Sequence, residues 1–137
     1  MAGSSHTITS HRYPRADGSS PLGEVVTAFV GDDATGAVPD LSIELPVDAE
    51  LLSILTNPGA TAPTANYDIV INDPNSLDVL QGAGANRHTS NTEQAAIVFA
   101  STSVHPVVLG GTALTIVISN QAVNSATGTI TLRYRRA

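Results

Sequence analysis

Three stretches of the chain hold residue types that could do chemistry. Asp68, Asn72, Asp73, Asn75 and Asp78 bring several oxygen donors into a short span, the ligand type that a hard cation such as calcium takes. The spacing of an EF-hand loop is absent, and Asp73-Pro74-Asn75-Ser76 is an ordinary turn in which the Asp side chain caps nearby N–H groups. Gly82-Ala83-Gly84-Ala85-Asn86-Arg87 has glycines that would let backbone N–H groups approach an anion. A dinucleotide fingerprint, however, needs a third glycine and a helix opening behind it, and here Thr89, Ser90 and Asn91 follow. A Ser-His-Asp hydrolase would draw on His88 or His105, yet there is no Gly-x-Ser-x-Gly elbow, and His105 precedes Pro106 at what reads as a strand end. The chain has no Cys, so a thiolate nucleophile, a thiolate metal site and a disulfide are all excluded. His6 and His11 have no acidic or Cys partner nearby in sequence and read as solvated side chains of an extended arm. The expectation is a protein without a catalytic, cofactor or metal site.

Charge and composition narrow the remaining classes. The formal charge of −6 argues against direct nucleic-acid binding, because neutralising phosphates needs a basic face. Charged residues make up 13%, about half the usual share, and the six cationic ones are all Arg. The surface is therefore carried by Thr, Ser, Asn and Gly, a composition that suits packing in an assembly and that codon bias would also produce. Aromatic residues are 4%, with Tyr13, Tyr67 and Tyr134 the only tyrosines and no Trp, which disfavours a carbohydrate-binding module with its aromatic platforms. The N-terminal stretch lacks an apolar h-region and no segment approaches the roughly 18 to 20 apolar residues of a membrane span. A soluble product without a classical secretion signal or membrane partner is the expectation.

The elements that would position these residues are strands. At 137 residues and 42% apolar content the chain is one domain with one core. Its apolar set of Val, Ile, Leu and Ala suits pleated sheets. Residues 1–22 read as an extended arm able to supply an edge strand, and residues 23–137 as a single β-sandwich domain. Glu24 to Val30, Asp40 to Pro46, Gln94 to Ala100, Thr112 to Ser119 and Gly128 to Arg135 alternate as strands, with Val104 to Leu109 a short addition. Leu51 to Asn72 reads as a hairpin of two apolar arms around Asn57-Pro58-Gly59, although Glu50 to Leu55 would also suit a short helix. The 94–100 strand is expected to be buried on both faces or to lie at a dimer seam. About eight strands with no room for crossover helices give an all-β, antiparallel β-sandwich, jelly-roll-like or immunoglobulin-like, with an extended N-terminal arm.

Asn57-Pro58-Gly59, then Ala62 to Ile69, Asn72-Asp73, Leu77 to Leu80, Gly82 to Arg87 and Asn91-Thr92-Glu93 together resemble a family of small virion proteins of tailed bacteriophages. The similarity runs on to Gly128-Thr129-Ile130-Thr131-Leu132-Arg133-Tyr134-Arg135, which is similar to that family's closing strand, and covers roughly residues 50 to 137. The resemblance implies an all-β structural protein, similar to capsid cementing or decoration proteins. It also implies major capsid protein and further copies of the chain as partners, and a place on the capsid exterior after synthesis in the host cytoplasm. A tail, neck or fibre-associated module is the alternative. No cofactor is implied. The N-terminal arm lies outside the resemblance, and its arginines suggest reach to a neighbouring capsid subunit. The interface candidates are His11, Arg12, Tyr13, Arg15, Arg87, Tyr134 and Arg135. The bland reading of the same arginines is a charged strand end that keeps an edge soluble, and that of Tyr67 and Tyr134 is a core ring with its hydroxyl at the sheet edge.

Overall fold

The structure, a computed structural model, describes residues 3–15, 17 and 19–137. Nine strands form among them: β1 (Ser5–Arg12), β2 (Leu22–Val30), β3 (Leu41–Glu44), β4 (Ala49–Pro58), β5 (Asp68–Asn72), β6 (Glu93–Ala96), β7 (Val107–Val108), β8 (Ala113–Ser119) and β9 (Thr127–Arg136). All pairings are antiparallel. One sheet has the order β1-β2-β9-β4-β6, with β7 also pairing β4, and the other has the order β3-β8-β5. The two inner faces meet in one core, where Val25 and Phe29 of β2 and Ile130, Leu132 and Tyr134 of β9 oppose Ile69 and Ile71 of β5 and Leu114 and Ile116 of β8. β2, β5 and β8 alternate buried with more exposed residues, as a sheet covered on one face requires, and β9 does so except at Thr131, which is buried between Ile130 and Leu132.

From β2 onward the chain changes sheet at nearly every connection. β2, β4, the β6–β7 pair and β9 lie in the larger sheet, and β3, β5 and β8 in the smaller. This weave overturns the hairpin expected at Leu51 to Asn72. Both arms are strands, but β4 pairs with β9 on one edge and with β6 and β7 on the other, so no edge is left for β5. β5 pairs with β8 in the opposite sheet, and residues 59–67 carry the chain across. The helical look of Glu50 to Leu55 has a local cause. The β4–β9 register shifts between Leu51 and Ser53, so Leu51 and Ile54 both face inward and are fully buried. A bulge in a strand thereby reproduces an i, i+3 apolar spacing.

Two further expectations need correction. The 94–100 segment is a strand only over Glu93–Ala96, with alternate residues exposed, and Phe99 is 42% exposed. It is not buried on both faces, because it lies on the rim beside β4 where the smaller sheet does not reach. The N-terminal segment does supply an edge strand, but His6 within it is buried. Its Nδ1 lies 3.1 Å from the Pro39 carbonyl and its Nε2 3.1 Å from Thr27 Oγ1, and its ring meets Phe29 edge-on.

Candidate interaction surface

The three chemistry-bearing stretches are used up by turns. Asp73 Oδ1 accepts the N–H groups of Asn75 and Leu77, and Asp78 accepts those of Ile71, Leu80 and Gly82. These carboxylates cap a tight loop and face no common point. The glycine-rich loop runs beside β5, where Ile69 N–H donates to the Gly84 carbonyl and Arg87 N–H to that of Tyr67. A Cβ on Gly84 would come within 2.1 Å of the Ile69 carbonyl oxygen, so this glycine serves close backbone approach and not anion binding. His88 Nδ1 accepts the N–H groups of Ser90 and Asn91, and His105 Nδ1 bonds the Ile97 carbonyl at 2.6 Å. Among the described residues no carboxylate side chain is bonded to either ring.

Six of the interface candidates do come together. β1, β2, β9 and β4 lie side by side, and the register places Arg12 opposite Glu24, Glu24 opposite Arg133, and Arg133 opposite Ser53. This row crosses the outer face of the larger sheet, and Gln94 of β6 extends it by donating to Ser53 Oγ at 3.0 Å. The next row sets Leu22, Arg135, Glu50 and Val107 abreast. Arg133 Nε bonds Glu24 at 3.0 Å, and Arg135 pairs with Glu50. Pairs this exposed contribute little stability, but they fix the directions of the guanidiniums.

A groove of about 700 Å³ lies over these rows, walled by Arg12, Tyr13, Arg15 and Ser20 on one side and by Leu52, Ser53 and Gln94 on the other. The first wall is held in place by the chain itself. Arg15 N–H donates to the Ser20 carbonyl, Arg136 N–H to that of Pro21, and Arg136 Nη1 to that of Arg15 at 2.9 Å. Tyr13 stacks on His11 with ring centroids 4.0 Å apart, and His11 Nε2 lies 3.0 Å from the Tyr134 hydroxyl. Tyr134 is fully buried, which pushes its hydroxyl pKa up to about 12, with nearby Tyr13 adding to the shift. Burial likewise lowers the pKa of His11. Gly23 makes this packing possible, since a Cβ there would meet the Tyr134 ring at 2.3 Å.

Arg87 is not part of this surface. Its guanidinium folds back on the Ala85 carbonyl and lies 3.8 Å from Glu93, beside the smaller sheet. Tyr67 is a core residue, fully buried and edge-on to Phe29 at 6.2 Å. Leu22, Glu24, Leu52, Ser53 and Gln94 belong to the groove although sequence reasoning did not single them out. Only the strand register brings them beside Arg12 and Arg133, and no local pattern encodes it. A second, apolar groove of about 390 Å³ lies near β7 and includes Leu77, Phe99, Val107 and Leu109, all of them exposed.

No family model matches the chain, and no curated protein matches it. A chain of the solved cyanophage Pam1 capsid asymmetric unit is similar at 23% identity and a TM-score of 0.48, over 85% of this chain and 84% of that one.

Proposed function

We propose that the chain is a structural protein of a tailed-phage virion, a cementing or decoration protein that binds the outside of the head shell and bridges major capsid protein subunits. The observation that carries this reading is the broad outer face of the larger sheet, with its arginine-lined groove and part-exposed Val26, Leu52 and Leu55. Its breadth suits contact with a partner surface, and among the described residues no cleft of convergent acids, bases or nucleophiles accompanies it. The sequence resemblance over residues 50 to 137 supports the same class. The alternation of successive strands between sheets supports a jelly-roll sandwich, with residues 79–87 lying along β5 where a further strand would fit.

Cement needs a rigid core and a polar surface whose hydrogen bonds are met again on docking. Each contact can be weak, because many copies on a closed shell act together through avidity. Arg12, Tyr13 and Arg15 of the N-terminal segment belong to the docking surface in this reading, since they form one wall of the groove. Cryo-EM of intact virions tests the proposal. The expected result is many copies arrayed with shell symmetry, and absence from the head would refute it. Copies confined to the tail or neck would favour the alternative of a tail-associated module.

A further inference from the structure

We infer that the groove across β1, β2, β9, β4 and β6 receives an extended acidic segment of a partner polypeptide. The inference rests on the reading of this face as a contact surface and adds the chemistry of what it contacts. Three of the chain's six cations, Arg12, Arg15 and Arg133, line the groove, against one carboxylate, Glu24. Glu24 is already bonded to Arg133. Arg12 and Arg15 are exposed and have no carboxylate within ion-pairing distance among the described residues. In a chain of net charge −6 this is a local reversal of sign, and such a patch draws and orients an oppositely charged partner.

The dimensions fix the form of the occupant. The groove reaches from Arg12 on β1 to Gln94 on β6, across five neighbouring strands, or about 19 Å at the usual inter-strand spacing. An extended chain covers that distance in about six residues. Arg12 and Arg133 stand two strands apart, about 10 Å, which exceeds what one phosphate can span and calls for carboxylates on separate residues of the segment. Tyr13 and Leu22, 60% and 56% exposed, offer an aromatic face and an aliphatic edge between the charges. A nucleic acid fits less well, because three guanidiniums neutralise few phosphates and the rest of the surface repels them.

The test uses the full chain and two labelled probes in fluorescence anisotropy at low salt, a peptide of about ten residues alternating Glu and Ser and its Gln-Ser counterpart. The Glu-Ser peptide is expected to bind, the Gln-Ser peptide to bind at least tenfold more weakly, and R12Q/R15Q to weaken Glu-Ser binding by at least tenfold. Both arginines are exposed, so the double variant should keep the wild-type melting temperature, which is checked in parallel. Equal binding of both peptides, no change in the variant, or tighter binding of a thymidine oligonucleotide of equal length would overturn the inference. These outcomes are independent of where the protein sits in the virion. Absence from heads would defeat the cementing proposal and leave the peptide result standing, and the reverse also holds.

Discussion

The two ends of the sandwich treat polar side chains in opposite ways. At the end where residues 31–40, 59–67 and 120–126 meet, the side chains are turned inward and used by the fold. Gln121 is the hub: its Oε1 accepts from Thr64 N–H, Thr64 Oγ1–H and Val123 N–H, and its Nε2 donates to the carbonyls of Gly36 and Val123. Asp32 accepts the N–H groups of Ala34 and Thr35, which holds its carboxyl below the usual pKa. At the arginine end the backbone is also tied, by Arg15 to Ser20 and Arg136 to Pro21, yet the guanidiniums of Arg12 and Arg15 have no carboxylate partner among the described residues. The difference separates polar groups that build the fold from polar groups left over for something else.

Substitutions should divide along the same line. The largest loss is expected at the closed end, where Gln121→Leu would leave three loops without their shared partner at a cost of roughly 3 kcal/mol, read from denaturant unfolding. An effect below about 1 kcal/mol would mean that water replaces the side chain freely. Gly23→Ala is next, at about 2 kcal/mol, because a methyl group would displace the Tyr134 ring from His11. This cost should fall if Tyr134 is first replaced by Leu, a coupling that a double-mutant cycle measures.

A pH series sharpens the comparison on the β1 side. Burial lowers the pKa of His6 below its ordinary 6.5, while the Pro39 carbonyl and Asp40 act the other way. A base held neutral in the fold binds its proton more readily when unfolded, so its contribution is complete above about 6.5 and is lost as pH falls through the folded value. His11, facing Tyr13 and Tyr134, adds a loss of the same sign. Protection factors of the β1 amides, exchange rates taken relative to the intrinsic rate at each pH, should therefore fall as pH drops below about 6.5, and His6→Gln should flatten that dependence. The smallest effect on stability belongs to R12Q/R15Q, within about 0.5 kcal/mol of wild type. A larger loss would show that these arginines serve the fold after all.

How much of this was legible in the sequence depended on the range of the interaction. Alternation marks β2, β8 and β9, and for β8 and β9 it names the inward residues Leu114, Ile116, Ile118, Ile130, Leu132 and Tyr134, because the strand period is local. Pairing is not local. The arms of the expected hairpin are real strands, but β4 finds β9 seventy or more positions away where a neighbour in sequence was expected, and turn residues at Asn57-Pro58-Gly59 do not distinguish a hairpin from a crossing between sheets. The burial of His6 depends on Thr27 and Pro39 from other segments, so composition alone suggested a solvated ring. For the groove, the arginines near the two ends of the sequence were visible, and the strand register brings Arg12 and Arg15 beside Arg133. Arg87 was grouped with them by residue type, and its position beside β5 follows only from the close approach of Gly84 to Ile69.

The most direct measurement of the central proposal is a cryo-EM reconstruction of the virion that resolves the orientation of each copy. The proposal predicts the sandwich repeated over the head, with the arginine groove against the shell and the Gln121 end turned away. Density in which the Gln121 end faces the shell and Arg12 and Arg15 point to solvent, or a head without the protein, would contradict it.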